Sequence, residues 1–406
     1  MTGQIGSQVR VYHRRRCTFF HPCNIIYRLT QRLIRMVKNF QLIIKTGRRG
    51  QRKYKSRRND PAEETSSVLT SILGRVSSGE HLSMEEMSHV IDLVMQGECS
   101  DEQIGLLLMA LRTKGETISE IAGAAAAMRK HMVPIRSSHE TLVDTCGTGG
   151  AGLHTFNIST AAALVAAASG TAVAKHGNRK ITSQTGSADV LVELGVNIEA
   201  PVEIVEECLQ QLGICFCFAP LLHPAMKHVA TVRKQLGVPT IFNLLGPLCN
   251  PAAAPNQLLG VGRPELRTTL AEALAMLGTE RALVVTGADG MDELTLTGDT
   301  YVTLVENGSA TEQTWTPGDF GMSTADLTDL QVENPHESAE RIRGVFRGEP
   351  GPARDIVVMN AAAAIWLTGQ ETSLEAAAQQ AAAAIDDGRC TERLDQLGKL
   401  SHQAGQ

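Results

Sequence analysis

The sequence predicts an α/β protein in which a small helical bundle domain precedes a larger, doubly wound α/β domain with a mostly parallel sheet. Three observations lead there. Residues 65–131 carry apolar side chains at helical spacing almost without a break. Beyond Pro134, short apolar runs alternate with helical stretches, the order expected of parallel β-α-β units. The chain has 406 residues, more than a single core organises, so two domains are expected.

The first helix is read from TSSVLTSILGRVSSG, with Val68, Leu69, Ile72, Leu73 and Val76 on one face and Gly79 as its stop. SMEEMSHVIDLVMQG opens on Ser83 with Glu86 three residues on, a capping box, and closes at Gly97. SDEQIGLLLMALRTKG and TISEIAGAAAAMRKHM each begin with a capping residue as well. Strands are expected in TLVDTCG, TAVAKHG, GICFCFAP, NQLLGVG, RALVVTG and TYVTLVENG. NISTAAALVAAASG, SADVLVELGV and PVEIVEECLQQLG read as helices, as do residues 263–277 and 353–367.

With 43% hydrophobic and 20% charged residues the chain is an ordinary globular protein, and 4% aromatics argues against the stacking platforms of single-strand nucleic-acid binders. Its nine cysteines form no C-x-x-C pair, and Cys215 and Cys217 are assigned to alternate faces of ICFCFAP. Reduced, mostly buried thiols in a cytoplasmic protein are expected, with neither a disulfide frame nor a zinc site.

The net charge of −5 hides a split: residues 1–59 hold 16 Lys and Arg and no acid, leaving 22 basic against all 43 acidic side chains. Such a stretch suits a nucleic-acid arm, a targeting peptide or a helix on an anionic membrane. Charges at Arg28, Arg32, Arg35 and Lys38 exclude a transmembrane span, and no uninterrupted apolar region fits a secretory signal. Residues 1–62 are therefore read as a disordered basic extension, or as sequence ahead of the folded protein's own start.

The chemistry concentrates in DTCGTGGAGLHTFNIST. A strand, then Gly147, Gly149 and Gly152 in a G-x-G-x-x-G pattern, then a helix form a backbone cradle for phosphate. A nicotinamide dinucleotide would call for an acid at the end of the next strand, where Lys175 and His176 stand instead, so a second phosphate is the better fit. Asn157, Ser159 and Thr160 start the following helix, where anions are favoured. Lys175, Asn178, Arg179, Ser183 and Ser187 make a second polar loop. Asp292 and Glu293 in GADGMDELT are adjacent hard-oxygen ligands suited to a magnesium-phosphate complex. Taken singly each is a turn or a capped helix; together they point to a ligand with phosphates at both ends.

The runs GTGGAGLHTFNIST, AKHGNRKITSQTGSADVLVELGV, FAPLLHPAMKHVATVRKQLGVPTIFNLLGPLCNP and DGMDELT, in this order, resemble the anthranilate phosphoribosyltransferases of tryptophan biosynthesis. The resemblance implies the nucleoside phosphorylase/phosphoribosyltransferase type of fold, with a helical domain at 63–139 rejoined by 222–250 and an α/β domain at 140–221 and 251–406. It implies transfer of phosphoribose from 5-phosphoribosyl 1-pyrophosphate to the amino group of anthranilate, with two magnesium ions per site. By the same resemblance Gly147, Gly150, Ala151, Thr155, Asn157, Ile158, Ser159, Thr160, Lys175, His176, Gly177, Asn178, Arg179, Ser183 and Ser187 hold the pyrophosphate substrate. Gly147, Asn178, His223 and Arg233 form the anthranilate site. Ser159 and Glu293 hold one magnesium ion, Asp292 with Glu293 the second. No side chain is assigned as a chemical catalyst; His176 and His223 are read as hydrogen-bonding wall before proton carriers. A cytoplasmic homodimer paired through its helical domains follows, without membrane or nucleic-acid partner. The rivals are a pyrimidine nucleoside phosphorylase, which lacks an equivalent of the Asp292-Glu293 pair, and a nucleic-acid binder using the basic extension.

Overall fold

The structure, a computed structural model, describes residues 61–150, 152–180 and 185–404. The expectations for residues 1–60, Ala151 and Ser183 lie outside these residues.

Four helices come first: α1 (Pro61–Ser77), α2 (Met84–Gln96), α3 (Asp101–Lys114) and α4 (Ile118–Lys130). The first starts four residues ahead of the expected Thr65, with Pro61 at the position where its fixed φ costs nothing. The next three each open with a capping box: Ser83 with Glu86, Ser100 with Gln103, Thr117 with Glu120. Each satisfies two orphan donors of the first turn, and such a cap stabilises by about 1 kcal/mol.

The larger part is a seven-stranded sheet in the order β3-β2-β1-β4-β5-β6-β7. β1 (Leu142–Asp144), β2 (Ala172–Gly177), β3 (Ile214–Phe218), β4 (Asn256–Gly260) and β5 (Arg281–Gly287) run parallel; β6 (Thr300–Glu306) and β7 (Ser309–Trp315) are antiparallel. The seventh strand lies beyond the six predicted. SATEQTW has no apolar alternation because it is an edge strand whose first four residues are exposed. Its sequence signal was the turn: Asn307 (φ 52°) and Gly308 (φ 72°) form a two-residue hairpin of the Asn-Gly kind.

Between strands run α5 (Ile158–Ala168), α6 (Ser187–Glu193), α7 (Val202–Leu212), α8 (Ala219–Leu222), α9 (Lys227–Leu236), α10 (Phe242–Leu245) and α11 (Arg267–Met276). The chain closes with α12 (Pro335–Phe346), α13 (Pro352–Leu367), α14 (Leu374–Asp386) and α15 (Arg389–Ser401). Two cores result, and β4 and β5 feed both. Leu258, Leu283 and Val285 join the core of α5, α7, α13, α14 and α15. Leu259, Ala282 and Val284 join that of the bundle with α9, α10 and α11. The split follows the period of two along a strand.

The same period corrects the cysteine assignment. Cys215 and Cys217 are two apart, so they share a face of β3, with their Sγ atoms 3.9 Å apart. All cysteines among the described residues are free thiols. Among the described residues no helix is long and apolar enough to cross a membrane.

Candidate active site

Strand order reverses between β1 and β4, and ligands in such sheets bind beyond the carboxyl ends of the strands on either side of the reversal. A cavity of about 900 Å³ opens there. The glycine loop after β1, the loop after β5, Met128 of α4, Arg233 of α9 and Phe242 of α10 all line it.

The glycine loop has the backbone the sequence calls for. Gly149 (φ 67°) and Gly150 (φ 91°) are left-handed, which side chains rarely tolerate. The loop is pinned to the end of β4: Thr148 N–H donates to the Gly260 carbonyl (2.8 Å), and Thr148 Oγ1 accepts from Gly262 N–H (3.2 Å). Gly260, absent from the sequence-derived set, matters as much as the loop itself. A Cβ there would lie 1.6 Å from the Asp292 carbonyl oxygen. Gly260→Ala is expected to push the 292–293 loop away and weaken substrate binding by at least tenfold with little change in helix content. Titration calorimetry with the pyrophosphate substrate expected from the sequence checks this; unchanged affinity would refute it.

At the start of α5, Asn157 makes no side-chain cap and bonds sideways: its Oδ1 accepts from Ser338 Oγ (2.8 Å). The backbone of Ser159 acts to keep Glu293 charged, against its burial. Ile158 and Thr160 are buried and do not line the cavity. Successive residues of a helix point about 100° apart, so consecutive positions 157–160 cannot all look into one pocket.

Lys175, at the end of β2, is buried, and its Nζ donates to the Thr145 carbonyl (3.0 Å) and to Ser159 Oγ (3.2 Å). Burial lowers its pKa, while the thiol of Cys146 and the carboxyls of Asp144 and Glu293 act the other way. Burial also holds both Asp292 and Glu293 above the usual carboxylate range, and for Glu293 the neighbouring Asp292 charge adds to this. Glu293 Oε2 is buried without a hydrogen-bond partner among the described residues. Two crowded carboxylates, an orphaned oxygen and the Ser159 hydroxyl are an all-oxygen donor set that a hard divalent cation would satisfy.

The second loop is divided. Asn178, Gly177 and Ser187 line the cavity, and Ser187 Oγ donates to the Asn178 carbonyl (3.4 Å). Arg179 lines it too, but its guanidinium pairs with Asp189 and Glu199, each at 3.3 Å. Thr155 and Gly150 also line the cavity. Arg233 is half-buried, lies over the Phe242 ring at 5.7 Å and forms no ion pair among the described residues.

His176 and His223 face each other, Nε2 to Nε2 at 3.2 Å, and His176 Nδ1 bonds the Gly246 carbonyl (3.0 Å). Burial drives their pKa values down, to about 3 for His176 and about 4 for His223. Asp144 and Cys146 bring their ligand atoms within 4.8 Å of His176, but both ring nitrogens of His176 are engaged, so the cluster is a hydrogen-bonded wall. A ring kept neutral when folded binds fewer protons than the unfolded chain below pH 6.5, so the folded state loses stability as pH falls from there toward 4. In His223→Gln the His223 share of that loss is expected to disappear, while that of His176 remains. The stability gap to the wild type, measured by urea unfolding, should narrow between pH 7 and 4.5; a gap independent of pH would refute the depressed value.

Residues 70–132 match the helical bundle domain of the glycosyl transferase family and residues 139–391 its a/b domain, so the chain is a two-domain glycosyl transferase. It is 51% identical over 340 residues to the anthranilate phosphoribosyltransferase of Rhodopirellula baltica, covering 84% of this chain and 98% of that one. The Thermus thermophilus anthranilate phosphoribosyltransferase structure superposes with a TM-score of 0.77 at 43% identity, covering 82% of this chain and 99% of that one. The Saccharomyces cerevisiae enzyme in complex with PRPP and Mg gives 0.74 at 27% identity, covering 82% and 98%. The chain belongs to the anthranilate phosphoribosyltransferase family.

Proposed function

We propose that this chain transfers phosphoribose from 5-phosphoribosyl 1-pyrophosphate to the amino group of anthranilate, giving N-(5-phosphoribosyl)anthranilate and pyrophosphate in tryptophan biosynthesis. The observation that carries the reading is the set of groups lining one cavity: a left-handed glycine loop, a carboxylate pair, and a guanidinium with no ion pair among the described residues.

Leaving of pyrophosphate puts negative charge on its oxygens, so the chain's main task is to receive that charge. Gly147, Gly150, Thr155, Asn157 and Ser159 line the side where the loop amides and the N-terminus of α5 do this, with Lys175, Asn178 and Ser187 beside them. Magnesium would be held by Ser159 with Glu293 and by Asp292 with Glu293, and when bound it neutralises the diphosphate. Arg233 forks onto the anthranilate carboxylate, and the Phe242 ring, 5.7 Å from its guanidinium carbon, gives the cation a π face to rest against. The aromatic amine is already neutral, so the uncharged His176–His223 pair serves as wall and needs to supply no base. The returning segment 222–250 completes the helical domain, the enzyme works in the cytoplasm, and two chains pair through their helical domains.

Loss of anthranilate fluorescence with phosphoribosyl pyrophosphate and magnesium tests the reading. Loss that requires every component is expected. None in a folded chain, with phosphate-dependent cleavage of thymidine or uridine instead, would favour the nucleoside phosphorylase.

A further inference from the structure

The loop that carries Asp292 and Glu293 has no regular secondary structure, so its backbone groups need partners from outside. One side chain provides two of them. Asn360 Oδ1 accepts from Leu294 N–H (3.0 Å), and Asn360 Nδ2 donates to the Leu294 carbonyl (3.1 Å). Its remaining Nδ2 hydrogen goes to the Ile356 carbonyl (2.9 Å), one turn back on α13. The carboxamide thus imitates a strand neighbour for the residue next to Glu293, and both of its amide hydrogens are used. Asn360 is only 2% exposed, lines the cavity wall, and stands on a helix whose residues 356–365 are all buried.

We infer that Asn360 is the positioning residue of the Asp292–Glu293 metal loop: it fixes the Leu294 peptide groups and thereby the direction in which the Glu293 carboxylate leaves the backbone. The inference rests on the reading of these carboxylates as magnesium ligands. Asparagine is required because the site presents one N–H and two carbonyls. A carboxylate would face both carbonyls and add a third negative charge beside two that burial already disfavours. An apolar side chain would leave the Leu294 N–H and carbonyl unpaired.

The test uses the whole chain with Mn²⁺ as the probe, its binding followed by electron paramagnetic resonance in the presence of phosphoribosyl pyrophosphate. Asn360→Ala is expected to weaken Mn²⁺ at least about tenfold, the usual cost of losing a partner behind a metal ligand. Val357→Ala, buried on the same helix with no bond to the loop, is expected to lower the melting temperature and leave Mn²⁺ affinity unchanged. Equal Mn²⁺ affinity in Asn360→Ala and wild type, or equal weakening in both variants, overturns the inference. If Asn360→Ala does not fold, hydrogen exchange in the wild type decides. Leu294 N–H should be as protected as the α13 amides, and exchange as fast as an open loop overturns it. Absence of Mn²⁺ binding in the wild type would instead remove the metal reading itself, and the inference with it.

Discussion

Glu293→Gln is expected to lower kcat/KM by about a hundredfold to a thousandfold, the range seen when a preorganised group at a developing charge is removed. The side chain stands in both proposed metal sets and is buried beside Asp292. Glutamine keeps its volume and an acceptor but not its charge, so the loss isolates electrostatics. The same change should raise the melting temperature of the metal-free chain. Burial and the adjacent Asp292 push the Glu293 carboxyl above its ordinary pKa, so its charge works against folding in full above the raised value, and the cost is relieved as pH falls through that value toward the ordinary one. Activity and apo stability thus move in opposite directions. Steady-state kinetics and thermal unfolding without magnesium check both; an unchanged rate would exclude Glu293 from the chemistry.

Arg233→Ala should raise the KM for anthranilate roughly thirtyfold to a hundredfold, about 2–3 kcal/mol for losing one partner of a desolvated charge pair. The KM for phosphoribosyl pyrophosphate should stay within a factor of about two, because Arg233 stands on α9 and not on the loops assigned to the pyrophosphate. Arg233→Lys should recover little, since an ammonium neither forks nor stacks on Phe242 as guanidinium does. Comparable increases for both substrates would mean that the residue supports the cavity as a whole.

What the sequence disclosed and what it hid divide along a physical line. Capping boxes, the left-handed glycines and the adjacent carboxylates are local, so Ser83, Gly149 and Asp292 could be read in a window of a few residues. Gly260, Ser338 and Asn360 act through partners 32, 181 and 66 residues away, and nothing near them in the chain marks their task. Gly260 reads as the end of an apolar strand, and Asn360 as one polar residue in an alanine-rich helix. The resemblance grouped Ile158 and Thr160 with their neighbours, yet three-dimensional direction, which a linear motif does not encode, turns both into the core. β7 escaped because an edge strand is written in polar residues to keep it from pairing with other chains.

The bundle core does not end with the bundle. Val229, Val232, Ile241 and Leu245, and then Leu259, Ala282 and Val284 of the sheet, complete what α1–α4 begin. During synthesis at about 5–20 residues per second, the ribosome takes roughly ten to thirty seconds to deliver Val284 after α4 has emerged. For that interval the nascent helices carry an uncovered oily face. The first four helices of the body, residues 61–130, are therefore not an independent folding unit, and a gene split after residue 131 is expected to yield two fragments that each need the other to become soluble.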